Sequence, residues 1–121
     1  MLIRIDPDSD APLFAQVASS VRADAATGRL RPGDRLPAAR ELASALGVNL
    51  HTVLRAYQQL RDEGLLELRR GRGAVITDAA TPLAQLHDDI AALVARARLL
   101  DLSTDTLADL VKEIARHDHR P

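Results

Sequence analysis

The chain has 121 residues, a net charge of −1, 46% hydrophobic residues and no cysteine. That length suits one domain with at most a small appendage, and the lack of cysteine excludes a disulfide framework, a thiolate metal site and a cysteine nucleophile. No apolar run approaches a membrane span, and no charged stretch followed by an apolar block opens the sequence, so a cytoplasmic protein is expected.

Leu2 to Ile5 alternates weakly and reads as a short strand or an ordered arm, and Asp6 to Asp10 is turn-like. Pro12 is placed to open a helix whose Phe14, Val17, Val21 and Ala25 form one stripe before Gly28, a core face for the helices that follow. Arg31 to Pro37 reads as a tight connector with turn chemistry at Pro32-Gly33. Pro37 is then expected to open a second helix, with Ala39, Leu42, Ala43 and Leu46 at helical spacing and Gly47 as a left-handed cap. Asn49 is an N-cap for a third helix that turns Val53, Ala56, Tyr57 and Leu60 inward before Gly64. Two helices joined through a glycine bend in this way form a helix-turn-helix pattern.

The outward face of the third helix carries His51, Arg55, Gln58 and Asp62, with Asn49, Leu50 and Thr52 crowding its start. Taken alone, this is a solvated face; the same residue types also read base edges in a major groove. The residues that follow decide between the two. Leu65 to Arg70 and Ala74 to Thr77 are strand-like runs around Gly71-Arg72-Gly73, a hairpin whose tip carries Arg69, Arg70 and Arg72 with no carboxylate nearer in sequence than Glu67. A helix-turn-helix followed by a basic hairpin is a winged helix, a far more specific sign of duplex DNA than either half.

Asp78 to Thr81 reads as a polar linker. From there Leu83, Leu86, Ile90, Leu93, Ala97 and Leu100 recur at a 3-4-3-4-3 spacing that suits a coiled-coil-like seam. Ser103 is an N-cap for a last helix carrying Leu107, Leu110, Val111 and Ile114. Two helices of this size cannot bury such stripes alone; they fold back on the winged helix or pack against a second copy. The homodimer is preferred, because half-sites on palindromic DNA need a two-fold partner. The expected architecture is mainly α with a small β-wing: a winged helix-turn-helix domain over 1–77 and a two-helix dimerisation and effector region over 78–121. Charge follows the same division, with 11 arginines against nine carboxylates (+2) up to Thr77 and five basic against eight acidic residues (−3) beyond it. A local basic footprint matters more for phosphate binding than the total.

Residues 28–77 resemble the winged-helix domain of the GntR family of bacterial transcription repressors. The likeness runs through Gly28 to Pro37, Arg40-Glu41-Leu42-Ala43, Leu46-Gly47-Val48-Asn49, Thr52-Val53, Arg55-Ala56-Tyr57, Leu60, Glu63-Gly64-Leu65 and Arg70-Gly71-Arg72-Gly73. Ile3-Arg4-Ile5-Asp6, Pro12-Leu13-Phe14 and Gln16 look most like the YtrA subfamily. The resemblance implies a repressor acting on double-stranded DNA, with a transporter operon as the expected target. It places Arg35 and Arg40 beside the backbone or groove edge, and Asn49, Leu50, His51 and Thr52 at the start of the recognition helix. Arg55 is placed within reach of phosphate, and Arg70, Gly71 and Arg72 along a minor groove, where an arginine suits a narrow, negative channel. The chain departs from the family at Leu50 and Leu54, where relatives more often carry arginine or proline and then a polar residue. Leu50 is left either to a thymine methyl or to packing on the protein.

Rival chemistries are weaker. His87 and the His117-Asp118-His119 end read as solvated side chains, since two histidines at i, i+2 share no helical face, and no metal or other cofactor is expected. Asp88-Asp89 reads as an exposed helix face and Ser19-Ser20 as helix filler, so no enzyme is expected. The remaining alternative is a winged helix used as a protein-interaction module without direct DNA binding, which would favour an apolar or aromatic surface over arginines at the wing. The tail is too short for a large pocket of its own, but a small-molecule effector could lodge between it and the winged helix.

Overall fold

The computed structural model describes residues 3–71 and 73–118. Among these the elements run α1 (Leu13–Ala26), β1 (Arg35–Leu36), α2 (Ala39–Leu46), α3 (Leu50–Asp62), β2 (Leu66–Arg69), β3 (Gly73–Ile76), α4 (Ala80–Leu99) and α5 (Thr104–His117). A first compact unit extends to Leu86 and a second starts at His87.

The core of the first unit forms where α1 and α2 pack on α3. Val17, Ala18 and Val21 of α1 meet the face of α3 that carries Val53, Ala56, Tyr57 and Leu60, and all seven are buried. The turn between α2 and α3 is closed by local chemistry. Gly47 caps α2 at φ 68°, where a side chain would be strained, and the Asn49 Oδ1 accepts the His51 amide at 2.8 Å. Pro37 differs from expectation: Ala38 is the N-cap of α2, and Pro37 stands outside the helix. Its carbonyl accepts the Tyr57 hydroxyl at 2.7 Å. Burial, with the charge of Glu41 adding to it, pushes that phenol well above its ordinary range, so it stays a donor throughout the physiological range.

The connector before α2 also differs. Arg35 and Leu36 form a strand, so the wing is a three-stranded antiparallel sheet in the order β1-β3-β2. Arg35 pairs with Val75 and Leu36 with Ala74 on one side of β3, while Leu66 pairs with Ile76 and Arg69 with Gly73 on the other. Residues 2–5 suit either a strand or an arm. Over the described Ile3–Ile5 they form an arm, with Ile3 buried and the Arg4 amide donating to the Ser20 hydroxyl at 3.0 Å.

Arg22 of α1 grips Glu63, at the end of α3, through two bonds of 2.8 and 2.6 Å. That bonding holds the Glu63 carboxyl below its ordinary pKa and raises the guanidinium, as expected for a pair charged on both sides. A carboxylate with a lowered folded pKa contributes stability above its unfolded pKa and loses it as pH falls through the folded value. Because the Glu63 side chain is 41% exposed, solvent screening keeps the pair to about 0.5–1 kcal/mol. Glu63→Gln should therefore melt a few degrees below the parent at neutral pH, and thermal scans should find the gap narrowing as pH falls below the ordinary carboxylate range.

The core continues past Thr77. Ala80 is 2% exposed and Leu83 packs against the core of the first unit, so α4 begins inside the stretch expected to be a linker. Farther on, Ser103 caps α5 by accepting the Thr106 amide at 3.1 Å. The apolar stripes stay open: Leu86, Ile90, Leu93 and Leu100 are exposed, as are Leu110, Val111 and Ile114, with Leu107 half-buried. Ala97 alone of the seam beyond Leu86 is buried. Among the described residues no helix is long and apolar enough to cross a membrane.

Candidate nucleic-acid interface

The outward face of α3 is built by helical periodicity. With Val53, Ala56, Tyr57 and Leu60 buried, His51, Arg55, Gln58 and Asp62 are all exposed. Thr52 and Leu50 are half-buried at the first turn, and Leu50 packs against the core. Its apolar side chain therefore serves the protein at least as much as any outside contact. Asn49 is exposed, but its carbonyl oxygen is occupied by the cap, which leaves its amide group to act outward. Arg35 on β1, Arg40 in the first turn of α2, and Arg70 and Gly71 at the wing turn are exposed as well. Arg72 lies outside the described residues.

Ion pairing divides the arginines of the first unit into two sets. Arg22, Arg29, Arg61 and Arg69 each lie within 4.0 Å of a carboxylate, that of Glu63, Asp24, Asp62 and Glu67 respectively. Arg4, Arg31, Arg35, Arg40, Arg55 and Arg70 have no such partner among the described residues. Of the wing arginines, Arg69 is thus claimed within its own strand by Glu67 at 3.3 Å, and Arg70 is not. Unpaired guanidinium groups keep their full charge and all their donors for an anionic partner.

One contact was not legible beforehand. The Arg55 guanidinium lies over the Phe14 ring, with Cζ 3.7 Å from the centroid. Phe14 belongs by spacing to the core stripe of α1, but it is half-buried at the start of that helix and lines the recesses on either side of Arg55. Its position as one of two core-stripe aromatics gave no hint of this, because the stack depends on how α1 crosses α3.

Gly73 stands where its backbone lies close to β1 and the start of α2. A Cβ there would lie 2.9 Å from the Leu36 carbonyl oxygen and 3.2 Å from the Ala38 nitrogen, so the close approach is to the protein's own backbone. Among the described residues no group of three or more His, Cys, Asp or Glu is placed to hold a metal ion. His87 pairs with Asp88 and His117 with Glu113, while His119 is outside the described residues.

Comparison with known proteins bears directly on this surface. The model of the bacterial regulatory proteins of the gntR family matches residues 13–76. The HTH-type transcriptional repressor YtrA of Bacillus subtilis (strain 168) is 33% identical over 120 residues, covering 94% of this chain and 92% of that protein. A solved structure of YtrA from Sulfolobus acidocaldarius, a GntR-family transcription factor, aligns with TM-score 0.60 at 36% identity over 82% of this chain and 99% of that one. The AraR DNA-binding domain in complex with operator ORX1 aligns with TM-score 0.54 at 29% identity over 61% of this chain and 92% of that one. The chain belongs to the GntR family of bacterial regulatory proteins and is a DNA-binding transcription regulator.

Proposed function

We propose that the chain is a cytoplasmic repressor that binds, as a homodimer, to a pseudo-palindromic operator and excludes polymerase. It acts by binding, without chemistry of its own. The observation that carries the reading is the set of exposed arginines around a helix-turn-helix and its wing, Arg35, Arg40, Arg55 and Arg70, that have no acidic partner among the described residues. The outward positions of α3 are polar or charged, which suits a duplex better than a protein partner, whose interface centre would be apolar or aromatic. In this reading His51, Thr52 and the Asn49 amide face the major groove and Arg70 and Arg72 the minor groove. The exposed apolar residues of α4 and α5 support the dimer, since apolar stripes of this extent mark association surfaces. A small effector that changed the spacing of the two heads would release the operator.

Binding to duplex DNA should weaken steeply with salt, because each neutralised phosphate releases a counterion. Arg40→Ala and Arg70→Ala should each lower affinity several-fold and reduce the slope of log K against log salt by about one. Fluorescence anisotropy across a salt series measures both. Parent-like slopes in both variants would remove these arginines from the interface, and a parent that binds no duplex would favour the protein-interaction module.

A further inference from the structure

The Phe14–Arg55 stack has a role that charge alone does not give it. Arg55 projects from the outward face of α3 one turn beyond His51, on a helix fixed by the fully buried Val53 and Ala56. Phe14 projects from α1, fixed in turn by the fully buried Val17 and Val21. Both ends of the contact therefore stand on rigid frames. A ring binds a guanidinium by its face; the donors of the guanidinium lie in its plane and remain open.

The surroundings keep those donors unclaimed. The recess on one side of the stack contains Arg22, Asp62 and Glu63, but Glu63 is taken by Arg22 and Asp62 by Arg61 at 3.2 Å. The recess on the other side is lined by Pro12, Leu13, His51 and Thr52 and holds no carboxylate. The Arg55 side chain makes no hydrogen bond or ion pair among the described residues.

Resting on the DNA-binding reading above, we propose that Phe14 is a positioning residue for duplex recognition: its ring holds the Arg55 guanidinium in one orientation, with the in-plane donors free for an acceptor on the duplex. An arginine normally loses much rotamer freedom on binding. Here the stack has removed much of it before DNA arrives. The acceptor is a phosphate oxygen or a guanine edge, both of which match a planar donor fork.

The test is a double-mutant cycle on a duplex that the protein selects from a random pool. Phe14→Leu and the unbranched Phe14→Met should each lower affinity by about fivefold, the worth of one preorganised side chain. Phe14→Tyr, which keeps a ring face, should bind within about twofold of the parent. In an Arg55→Ala background Phe14→Leu should change affinity by less than about twofold, because the partner it positions is gone. Arg55→Ala itself should lower the salt slope by about one if the acceptor is phosphate, or relax sequence preference at one base pair if it is guanine.

A loss from Phe14→Leu that persists undiminished without Arg55 overturns the proposal, and so does parent-like binding by Phe14→Leu. A second measurement does not depend on how the variants fold. In the parent without DNA, the Arg55 side-chain N–H resonance should be shifted upfield by the ring, and an unshifted resonance likewise overturns the stack. Failure of the parent to bind any duplex would sink the DNA-binding reading itself; a binding parent with additive losses at the two positions sinks only the role of Phe14.

Discussion

Cutting the chain after Leu86 is expected to leave a folded monomer whose affinity for a two-half-site duplex is lower by about 100-fold or more. The cut falls at the boundary between the two compact units and keeps Ala80 and Leu83, which pack on the core of the first. What it removes are Ile90, Leu93, Leu100, Leu110, Val111 and Ile114, all exposed in the single chain. If those faces join two copies, the second head binds at a high effective concentration, and losing the link costs that factor without touching a DNA contact. Full-length chain carrying Ile90→Asp and Leu110→Asp should behave in the same way, because a carboxylate in an apolar seam carries a desolvation cost. Sedimentation velocity and anisotropy titrations check the two halves of the prediction. A truncated chain that binds as tightly as the parent would discard the dimer.

Gly73→Ala should destabilise the winged helix by about 3 kcal/mol, whereas Gly71→Ala should cost only about 1 kcal/mol. The two glycines have nearly the same backbone angle, φ 73° and 74°. They differ in what a methyl group would meet. At Gly71 nothing lies within 4 Å, so only the left-handed strain is added. At Gly73 the methyl would press on backbone atoms of Leu36 and Ala38, which cannot swing aside as a side chain would. Relief requires β3 to lift from β1, and the Leu36–Ala74 pairing goes with it. Urea midpoints of the two variants measure the difference. Equal losses would mean that backbone strain, not the contact between β1 and β3, sets the cost.

The parts of this fold legible in the sequence are those fixed within a few residues. The Gly47 cap, the Asn49 and Ser103 caps and the inward stripe of α3 all depend on neighbours in the chain, and all stand where helical spacing and cap chemistry put them. What was not legible depends on partners far away. Two residues suffice for β1 only because β3 brings Ala74 and Val75 alongside, some 40 positions later. Pro37 looks like a helix opener, but its carbonyl is fixed by Tyr57 across the fold. The same holds at the surface. The exposed set His51, Arg55, Gln58 and Asp62 follows from periodicity, whereas the capture of Arg69 by Glu67 and the seating of Arg55 on Phe14 need side chains in place.

The most direct test of the account is a titration of the isotopically labelled protein with its selected duplex, followed by NMR. Amide and arginine side-chain signals of residues 49–55, Arg40 and the wing from Leu68 to Gly71 should move together at one stoichiometry, while Leu110, Val111 and Ile114 of α5 stay in place. Signals that move only in α5, or on the arm side of α1 around Ser19 and Ser20, would contradict it.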